Sequence, residues 1–511
     1  MRKRLLSLAA VVLVVSACGS ASSSYGNGPV QPPDAHDYPP AQPPYRPEPS
    51  PYDGVTFQDP GTNPITDPDE DKVSTFAMDV DTASYTIAQR FVADGNLPDP
   101  SSIRVEEWVN AFDQGYAPPQ QDAFAVHVDG ARSPFDGQGE ILLRIGIKAR
   151  DVRDRQRPAA ALTFVIDTSG SMEREGRLEL VKDSLRTLVR SLKPDDSIAV
   201  VTFGDDAHVV LGPTPASHRN EILGAIEQLH PGGSTNLEAG LRLGYSLARE
   251  RLLGDGGIDR IVLASDGVAN VGLTDADGIL RQIRDDAAAG IELVSVGVGM
   301  GNYNDALLEQ LADQGDGFYA YVNGADEAHK LFREDLVGTL ETVALDAKVQ
   351  VRFDPDVVAS YRLIGYENRA IPDGQFRDPS VDAGAVGAGH AVTALYALTL
   401  REDAGHDGRL GSVALRWTDP DAKRESHLER DILGRDILGA GDGARFEDAD
   451  PTLRLDAIVA ATALALRGEA GSSDASLRQI DQVARRSDDL PRTDEVKVFL
   501  SFLERMIDLG G

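Results

Sequence analysis

The stretch Leu162-Thr163-Phe164-Val165-Ile166-Asp167-Thr168-Ser169-Gly170-Ser171 decides the fold class of this chain. Its first half is apolar and β-branched and predicts a buried strand, and its second half predicts a tight loop. Apolar side chains then recur at helical spacing from Leu178 to Leu192. A strand that ends in this loop and leads into a helix carries three oxygen-bearing side chains at its carboxyl end, those of Asp167, Ser169 and Ser171.

Strands and helices alternate along residues 160–342. Helical stripes of apolar residues separate several of the strands, which implies parallel βαβ units in a doubly wound, mainly parallel α/β sheet. In such sheets the ligand site lies outside the carboxyl ends of the strands. The predicted strands are Leu162–Ile166, Ser197–Phe203, His208–Leu211, Arg260–Ala264, Ile291–Val296 and Phe318–Val322.

Two more oxygen-bearing residues occur in similar settings downstream. Thr235 comes after a glycine-rich turn, and Asp266 comes at the end of the strand Arg260–Ala264. Hard divalent cations such as Mg²⁺, and likewise Mn²⁺ or Ca²⁺, prefer oxygen ligands. A site with few protein carboxylates leaves a position open for a carboxylate of another molecule, which indicates binding rather than catalysis. The predicted metal site consists of Asp167, Ser169, Ser171, Thr235 and Asp266.

After residue 343 the pattern changes to strands without helices. Together with the runs Phe124–Val128 and Ile141–Ile147, these strands predict one antiparallel β domain into which the α/β domain is inserted. A helical pattern returns from Leu453 to the end of the chain. The predicted regions are an N-terminal α+β region at 73–159, the α/β domain at 160–342, β-domain strands at 343–435 and a helical C-terminal region at 436–511.

The N-terminus predicts a lipoprotein signal peptide at residues 1–17. A positive start, Arg2-Lys3-Arg4, precedes the apolar run Leu5–Val15, which is too short to span a bilayer. Val15-Ser16-Ala17-Cys18 resembles a bacterial lipobox, which implies that Cys18, the single cysteine, carries a lipid. An ordinary secretory signal is the alternative. Residues 18–72 are rich in Pro, Gly and Ser and predict a disordered tether.

These features predict an extracytoplasmic protein of the cell envelope, anchored by lipid to the outer membrane or the cell membrane. The formal net charge of −32 excludes nucleic acid as a partner, because phosphates demand a basic face. A Gly-x-Ser-x-Gly nucleophile elbow would need glycine at Asp167, and the nine histidines form no zinc-binding pair. We therefore predict no catalytic residues, no enzymatic activity and no small-molecule substrate.

The residues from 160 to 341 resemble the von Willebrand factor type A domain, which has this α/β layout and the same set of Asp-x-Ser-x-Ser, Thr and Asp loops. The resemblance implies a metal ion-dependent adhesion site. Ser169, Ser171 and Thr235 would ligate the metal directly or through water. Asp167 and Asp266 would act mainly through water while they balance its charge. The sixth position would accept an Asp or Glu carboxylate of a protein partner.

Segments outside the A domain extend the likeness to residues 74–510. They are similar to those of a bacterial group of A-domain lipoproteins with an extra N-terminal domain and a C-terminal domain of unknown function. Val268-Ala269 departs from the polar, aromatic-containing loop expected there. The segments are Asp79-Val80-Asp81-Thr82-Ala83-Ser84-Tyr85, Gly299-Met300-Gly301-Asn302-Tyr303-Asn304 and Ile364-Gly365-Tyr366-Glu367-Asn368-Arg369.

Three hypotheses about function follow from the sequence. The first is a lipid-anchored envelope protein that binds a protein partner through the metal. The second is a hydrolase or phosphotransferase whose metal activates water, which would need a general base near the site. The third is a structural envelope scaffold in which the metal only stiffens the loops.

Overall fold

Strands and helices follow one another along the chain much as the hydrophobic patterns predict. The computed structural model describes residues 57, 59–78, 81–135, 139–151, 158–250, 252–253, 257–266, 276–299, 305–322, 324, 328, 331–332, 342–378, 381, 383–401, 408–420, 422–438, 445–468 and 476–510. The elements in chain order are β1 (Val73–Ala77), α1 (Ala83–Ala93), α2 (Val105–Asn110), β2 (Phe124–Arg132), β3 (Ile141–Ala149), β4 (Ala160–Asp167), α3 (Arg177–Ser191), β5 (Ser197–Phe203), β6 (Ala207–Pro215), α4 (Arg219–Glu227), α5 (Leu237–Arg249), β7 (Ile258–Ser265), α6 (Ala276–Ala287), β8 (Ile291–Val298), α7 (Asp305–Asp313), β9 (Tyr319–Val322), β10 (Thr342–Phe353), β11 (Val358–Ile364), β12 (Ala385–Gly387), β13 (Ala391–Leu400), β14 (Arg409–Asp419), β15 (Arg424–Leu433), α8 (Gly434–Leu438), α9 (Pro451–Arg467), α10 (Leu477–Arg486) and α11 (Asp494–Asp508).

The α/β domain is built on a six-stranded sheet in the order β6-β5-β4-β7-β8-β9. All neighbouring strands are parallel except β5 and β6, which pair antiparallel. Apolar side chains of α3 and α4 cover one face, and those of α5, α6 and α7 cover the other. This arrangement confirms the predicted doubly wound, mainly parallel sheet. Strand β4 lies in the middle of the sheet, so the loop after it opens at the centre of the carboxyl edge.

The remaining strands form two antiparallel sheets that face each other. One has the order β11-β13-β3-β2, and the other has the order β1-β10-β14-β15 with β12 paired to β10. Strand β13 pairs with β3 over the whole register from Ala391↔Lys148 to Leu398↔Ile141. Apolar side chains of both sheets share one core. The chain therefore leaves this β sandwich after β3 and returns at β10, which confirms the predicted insertion of the α/β domain.

The C-terminal helices pack around helix α1 and helix α2. Tyr85 and Trp108 lie edge to face, with ring centroids 5.4 Å apart, inside the same apolar cluster as residues of α9, α10 and α11. The opposite side of α1 buries Ala83, Ile87 and Phe91 in the core of the α/β domain. Helix α1 therefore fastens the α/β domain to the C-terminal helices, and the helical C-terminal region of the predicted fold is confirmed.

Local signals set the ends of the longest C-terminal helix, α9. The Asp450 carboxylate accepts a hydrogen bond of 2.8 Å from the Thr452 backbone N–H, and Pro451 occupies the first helical position. The helix ends at Gly468, whose φ of 70° is in the left-handed region that favours glycine. The residues of helix α9 from Leu453 to Leu464 are all buried, so this helix lies inside the C-terminal region and not on its surface.

Residues 59–72, which the sequence assigns to the tether, contact the β sandwich. The Asn63 side-chain amide donates to the carbonyl oxygens of Leu363 (3.1 Å) and Gly365 (2.6 Å), and Thr66 pairs with Tyr361 of β11. Residues 59–72 therefore lie along the β sandwich as an added edge segment. The signal peptide, Cys18 and residues 19–56 and 58 of the tether lie outside the described residues.

An arginine and two aspartates join the α/β domain to the β sandwich. Arg369, which follows β11, donates to the carboxylates of Asp81 (2.7 Å) and Asp313 (2.9 Å). Asp81 also accepts a hydrogen bond of 2.9 Å from the Tyr319 backbone N–H of β9. We call Asp81, Arg369 and Asp313 the docking cluster. Asp81 and Arg369 come from two of the segments that extend the family likeness, and these two residues connect the domains.

The described residues belong to one compact unit, Ser50–Gly511. Among the helices that the structure describes, none combines the length and apolar character needed to cross a membrane.

Candidate functional site

Backbone hydrogen bonds tie the loops together at the carboxyl edge of the α/β sheet. The N–H of Thr168 donates to the carbonyl of Phe203 at the end of β5 (2.9 Å), and the N–H of Gly170 donates to the carbonyl of Gly233 (3.1 Å). The N–H of Gly232 donates in turn to the Thr168 carbonyl (2.6 Å). The loop after β4 is thus bound on one side to β5 and on the other to the turn that carries Thr235.

Asp167 ends β4 and is completely buried. Its Oδ1 accepts from the Ser169 N–H (2.8 Å) and its Oδ2 accepts from the Ser265 hydroxyl (2.7 Å). The hydroxyls of Ser169 and Ser171 lie 2.9 Å apart. Burial raises the pKa of Asp167 to about 6, the hydrogen bonds from the two serines oppose that rise, and the neighbouring charge of Asp266 adds to it. The loop therefore folds around its own carboxylate.

Asp266 follows β7 and is also completely buried. Its Oδ2 accepts a hydrogen bond of 2.7 Å from the Arg177 guanidinium, which belongs to the first residue of α3. Its Oδ1 is buried and has no hydrogen-bond partner among the described residues. An unpartnered buried carboxylate oxygen is costly, so it requires an explanation.

Thr235 is buried in the turn that precedes α5. Asp205, in the loop after β5, holds this turn by accepting hydrogen bonds from the Ser234 N–H (2.8 Å) and hydroxyl (2.7 Å). Gly233 has φ +86°, and a Cβ there would lie 3.0 Å from the Asp205 carboxylate, so the turn needs glycine for both its backbone and its space. Backbone contacts and the Asp205 carboxylate together bring Thr235 to this edge.

These residues fit a hard divalent cation. The site offers serine and threonine hydroxyls, two buried carboxylates and the orphan Oδ1 of Asp266. In the described part of the chain, no group of three or more His, Cys, Asp or Glu side chains is placed to hold a metal. A site built largely from serine and threonine hydroxyls does not need such a group. Asp167, Ser169, Ser171, Thr235 and Asp266 would hold such an ion, which would supply a point of positive charge for an anionic ligand.

Sequence reasoning missed two members of this site. Ser265 and Arg177 bond to the two aspartates from 98 and 89 residues away along the chain. Ser265 had a local signal, because it directly precedes Asp266 at a strand end. For Arg177 the only signal in the sequence was its position at the start of the helix that follows the Asp167 loop. Residues 267–275, which include Val268-Ala269, and residues 300–304 lie outside the described part of the chain.

Family comparisons identify the class of protein that this fold and site define. The von Willebrand factor type A domain family matches residues 161–334. A family described as von Willebrand factor matches residues 52–143, and one described as "Uncharacterized protein YfbK, C-terminal" matches residues 338–509. The α/β domain is thus a von Willebrand factor type A domain, a class that commonly mediates protein–protein interaction.

The chain resembles one bacterial protein over most of its length. It is 37% identical over 450 residues to "Uncharacterized protein YfbK" of Escherichia coli (strain K12), and the match covers 83% of this chain and 76% of that protein. The chain therefore belongs to the YfbK family.

Other similarities are shorter or more distant. "Uncharacterized protein sll0103" of Synechocystis sp. is 30% identical over 193 residues, covering 38% of this chain and 44% of that protein. Among solved structures, the "von Willebrand factor type A from Catenulispora acidiphila" is 16% identical with a TM-score of 0.43, covering 74% of this chain and 88% of that one.

Proposed function

We propose that this protein is a lipid-anchored component of the cell envelope that binds a protein partner through a divalent-metal-dependent adhesion site. The metal is Mg²⁺, or Mn²⁺ or Ca²⁺, held by Asp167, Ser169, Ser171, Thr235 and Asp266. The observation that carries the proposal is the buried Oδ1 of Asp266, which has no partner in the described residues and belongs to an aspartate close enough for its charge to act on Asp167. A cation would satisfy this oxygen.

The charge of the site indicates how the partner would be recognised. A divalent ion faced mainly by neutral hydroxyls keeps part of its charge uncompensated, so it attracts an anion. An Asp or Glu side chain of the partner would fill the open coordination position. Membership of the von Willebrand A class, which commonly mediates protein–protein interaction, supports a protein as the partner.

The contacts of the five side chains favour binding over catalysis. Among the described residues, their hydrogen bonds reach one another, Ser265 and Arg177. A metal-dependent hydrolase would need a general base within hydrogen-bond reach of its metal-bound water. Asp167 and Asp266 are themselves the predicted metal ligands, and neither a serine hydroxyl nor a guanidinium serves as that base, so we propose that the protein is not an enzyme.

Crosslinking in intact cells tests the partner proposal. The wild-type chain should capture a protein that EDTA removes and Mg²⁺ restores, and Asp167→Ala should capture none. Asp356→Ala removes an exposed carboxylate of the β sandwich and should behave as the wild type. Capture that persists in EDTA would refute the adhesion site and favour a scaffold. Metal-dependent phosphatase or peptidase activity that Asp167→Ala abolishes would establish an enzyme.

Fractionation tests the lipid anchor, which rests on Cys18 and the apolar run before it. Cys18→Ala should move the protein from the membrane fraction to a soluble one or block its processing. A variant that fractionates and migrates like the wild type would exclude lipidation.

A further inference from the structure

Arg177 brings a buried positive charge to the candidate metal site. Its side chain is 4% exposed, and its guanidinium lies 2.7 Å from Oδ2 of Asp266. The Glu175 carboxylate lies 4.0 Å from the same guanidinium but is about half exposed. Asp266 is thus the close, buried counter-charge of Arg177. One of the two oxygens of this predicted metal ligand is therefore bonded to a group that stays positively charged.

The fold makes room for this guanidinium. Gly299, which directly follows β8, has φ +74°, and a Cβ on it would lie 2.1 Å from Nε of Arg177. Any larger residue would displace the arginine from its place. The strand end and the helix start are therefore arranged together around Arg177.

The ion pair is incomplete on both sides. Nε of Arg177 and Oδ1 of Asp266 are buried, and each lacks a hydrogen-bond partner among the described residues. A buried ion pair stabilises a fold only when its remaining donors and acceptors are satisfied. A pair with an unmet donor and an unmet acceptor is poorly suited to a purely structural role. It is instead expected at a binding site, where a bound ion or ligand supplies the missing partners.

Charge balance indicates what the arginine does. The carboxylates of Asp167 and Asp266 would offset the charge of a bound divalent ion only in part, because the Arg177 guanidinium already holds one oxygen of Asp266. The guanidinium therefore adds a positive charge beside the loaded site, which the half-exposed Glu175 carboxylate 4.0 Å away offsets only in part. Such a site repels the metal to some extent and attracts a carboxylate more strongly.

We infer that Arg177 is a fixed cation of the adhesion site, which holds Asp266 by one oxygen, lowers the affinity for the metal and raises the affinity of the loaded site for a carboxylate. This inference rests on the proposed metal site. It predicts that one substitution changes the two affinities in opposite directions, which a residue that only supports the loops would not do.

Titration of the purified full-length chain with Mn²⁺, followed by the electron paramagnetic resonance signal of the free ion, tests the inference. Arg177→Gln should bind Mn²⁺ about tenfold more tightly, the size expected for a unit charge acting on a divalent ion over several ångströms in a high dielectric. Arg177→Lys keeps the charge and should stay near the wild type. Arg174→Gln removes the same charge from an exposed side chain of the same loop and should also stay near the wild type.

Acetate serves as the carboxylate probe. In the wild type, acetate should strengthen Mn²⁺ binding relative to chloride at equal ionic strength, because two ligands that favour each other do so reciprocally. Arg177→Gln should lose most of that enhancement, and circular dichroism would verify that it is folded. Unchanged Mn²⁺ affinity and acetate enhancement in Arg177→Gln would overturn the inference, as would loss of Mn²⁺ binding in a folded variant. A wild type that binds no Mn²⁺ would overturn the metal site itself.

Discussion

Two buried aspartates of this molecule, Asp81 and Asp266, are each paired with an arginine, yet they differ in how completely they are bonded. At the docking cluster, both oxygens of Asp81 accept hydrogen bonds, one from Arg369 and one from the Tyr319 N–H. At the carboxyl edge of the α/β sheet, Asp266 is bonded through one oxygen to Arg177, and the other has no partner among the described residues. Complete bonding indicates a structural role, and incomplete bonding indicates a place for a ligand.

The largest expected effect is at the docking cluster. Arg369→Ala removes the guanidinium from the buried Asp81 carboxylate, and it also removes the bond to Asp313. Breaking a buried pair in this way costs about 3–5 kcal/mol of unfolding free energy. Urea denaturation measures this loss. Arg401→Ala, which removes an exposed pair with Asp69, should cost at most about 1 kcal/mol, and an equal loss in both variants would contradict the contrast.

The next largest difference between the metal site and the docking cluster should be the response of the unfolding free energy to Mg²⁺. Mg²⁺ at a hundred times its dissociation constant should raise the unfolding free energy of the wild type by about 2.7 kcal/mol, because it binds only the folded state. Asp167→Ala should lose that gain. Arg369→Ala, although less stable, should keep it, since the docking cluster contains no metal ligand. Thermal unfolding with and without Mg²⁺ checks both statements, and an equal gain in Asp167→Ala would place the metal elsewhere.

The sequence predicted the α/β domain well because its signals are local. Strand Ser197–Phe203 has the predicted bounds. The five oxygen positions were proposed from one loop, one glycine-rich turn and one strand end. The short strand β12 was missed, since three residues carry little periodicity. The separation of the β strands into two facing sheets was also not predicted, because pairing between β3 and β13 joins residues about 250 apart in sequence.

The same limit applies to the site. Hydroxyls and carboxylates within a motif can be read from their spacing, but the partner of a buried charge cannot. Arg177 reaches Asp266 only after α3 and β7 have packed on one sheet. The incomplete bonding that distinguishes Asp266 from Asp81 is therefore a property of the folded chain.

The pH dependence of stability should be a smaller effect, and it tests a second incompletely bonded cluster. This cluster consists of Glu106, Glu367 and Arg467, between the β sandwich and α9. Burial, and then the nearby Glu106, raise the pKa of Glu367 to about 7, while Arg467 opposes that rise. Oε2 of each glutamate is buried without a partner among the described residues. Because Glu367 binds its proton more tightly in the folded chain, its contribution to stability is present below about pH 4.5 and is lost as the pH rises towards 7.

Glu367→Gln should therefore lose less stability than the wild type between about pH 4.5 and 7.5. Urea midpoints across this range measure the difference. Glu504→Gln, which removes an exposed carboxylate paired with Arg485, should follow the wild-type curve. Parallel curves for Glu367→Gln and the wild type would mean that this carboxyl does not carry the pH dependence, and would leave its unpartnered oxygen for a ligand to explain.

The smallest expected effect is at Glu175, beside the metal loop, where strain and charge oppose each other. Glu175 has φ 54°, a left-handed conformation that costs a non-glycine residue about 1–2 kcal/mol. Its carboxylate lies 3.1 Å from the Arg90 guanidinium, an exposed pair that contributes about 0–1 kcal/mol. Glu175→Gly removes both, so its unfolding free energy should stay within about 1 kcal/mol of the wild type.

Glu175→Ala keeps the strain, and should be less stable than Glu175→Gly by about 1 kcal/mol in urea denaturation. If the alanine variant were instead the more stable, the left-handed turn would not be a source of strain, and the shape of the loop before Arg177 would have to be set by its charges alone.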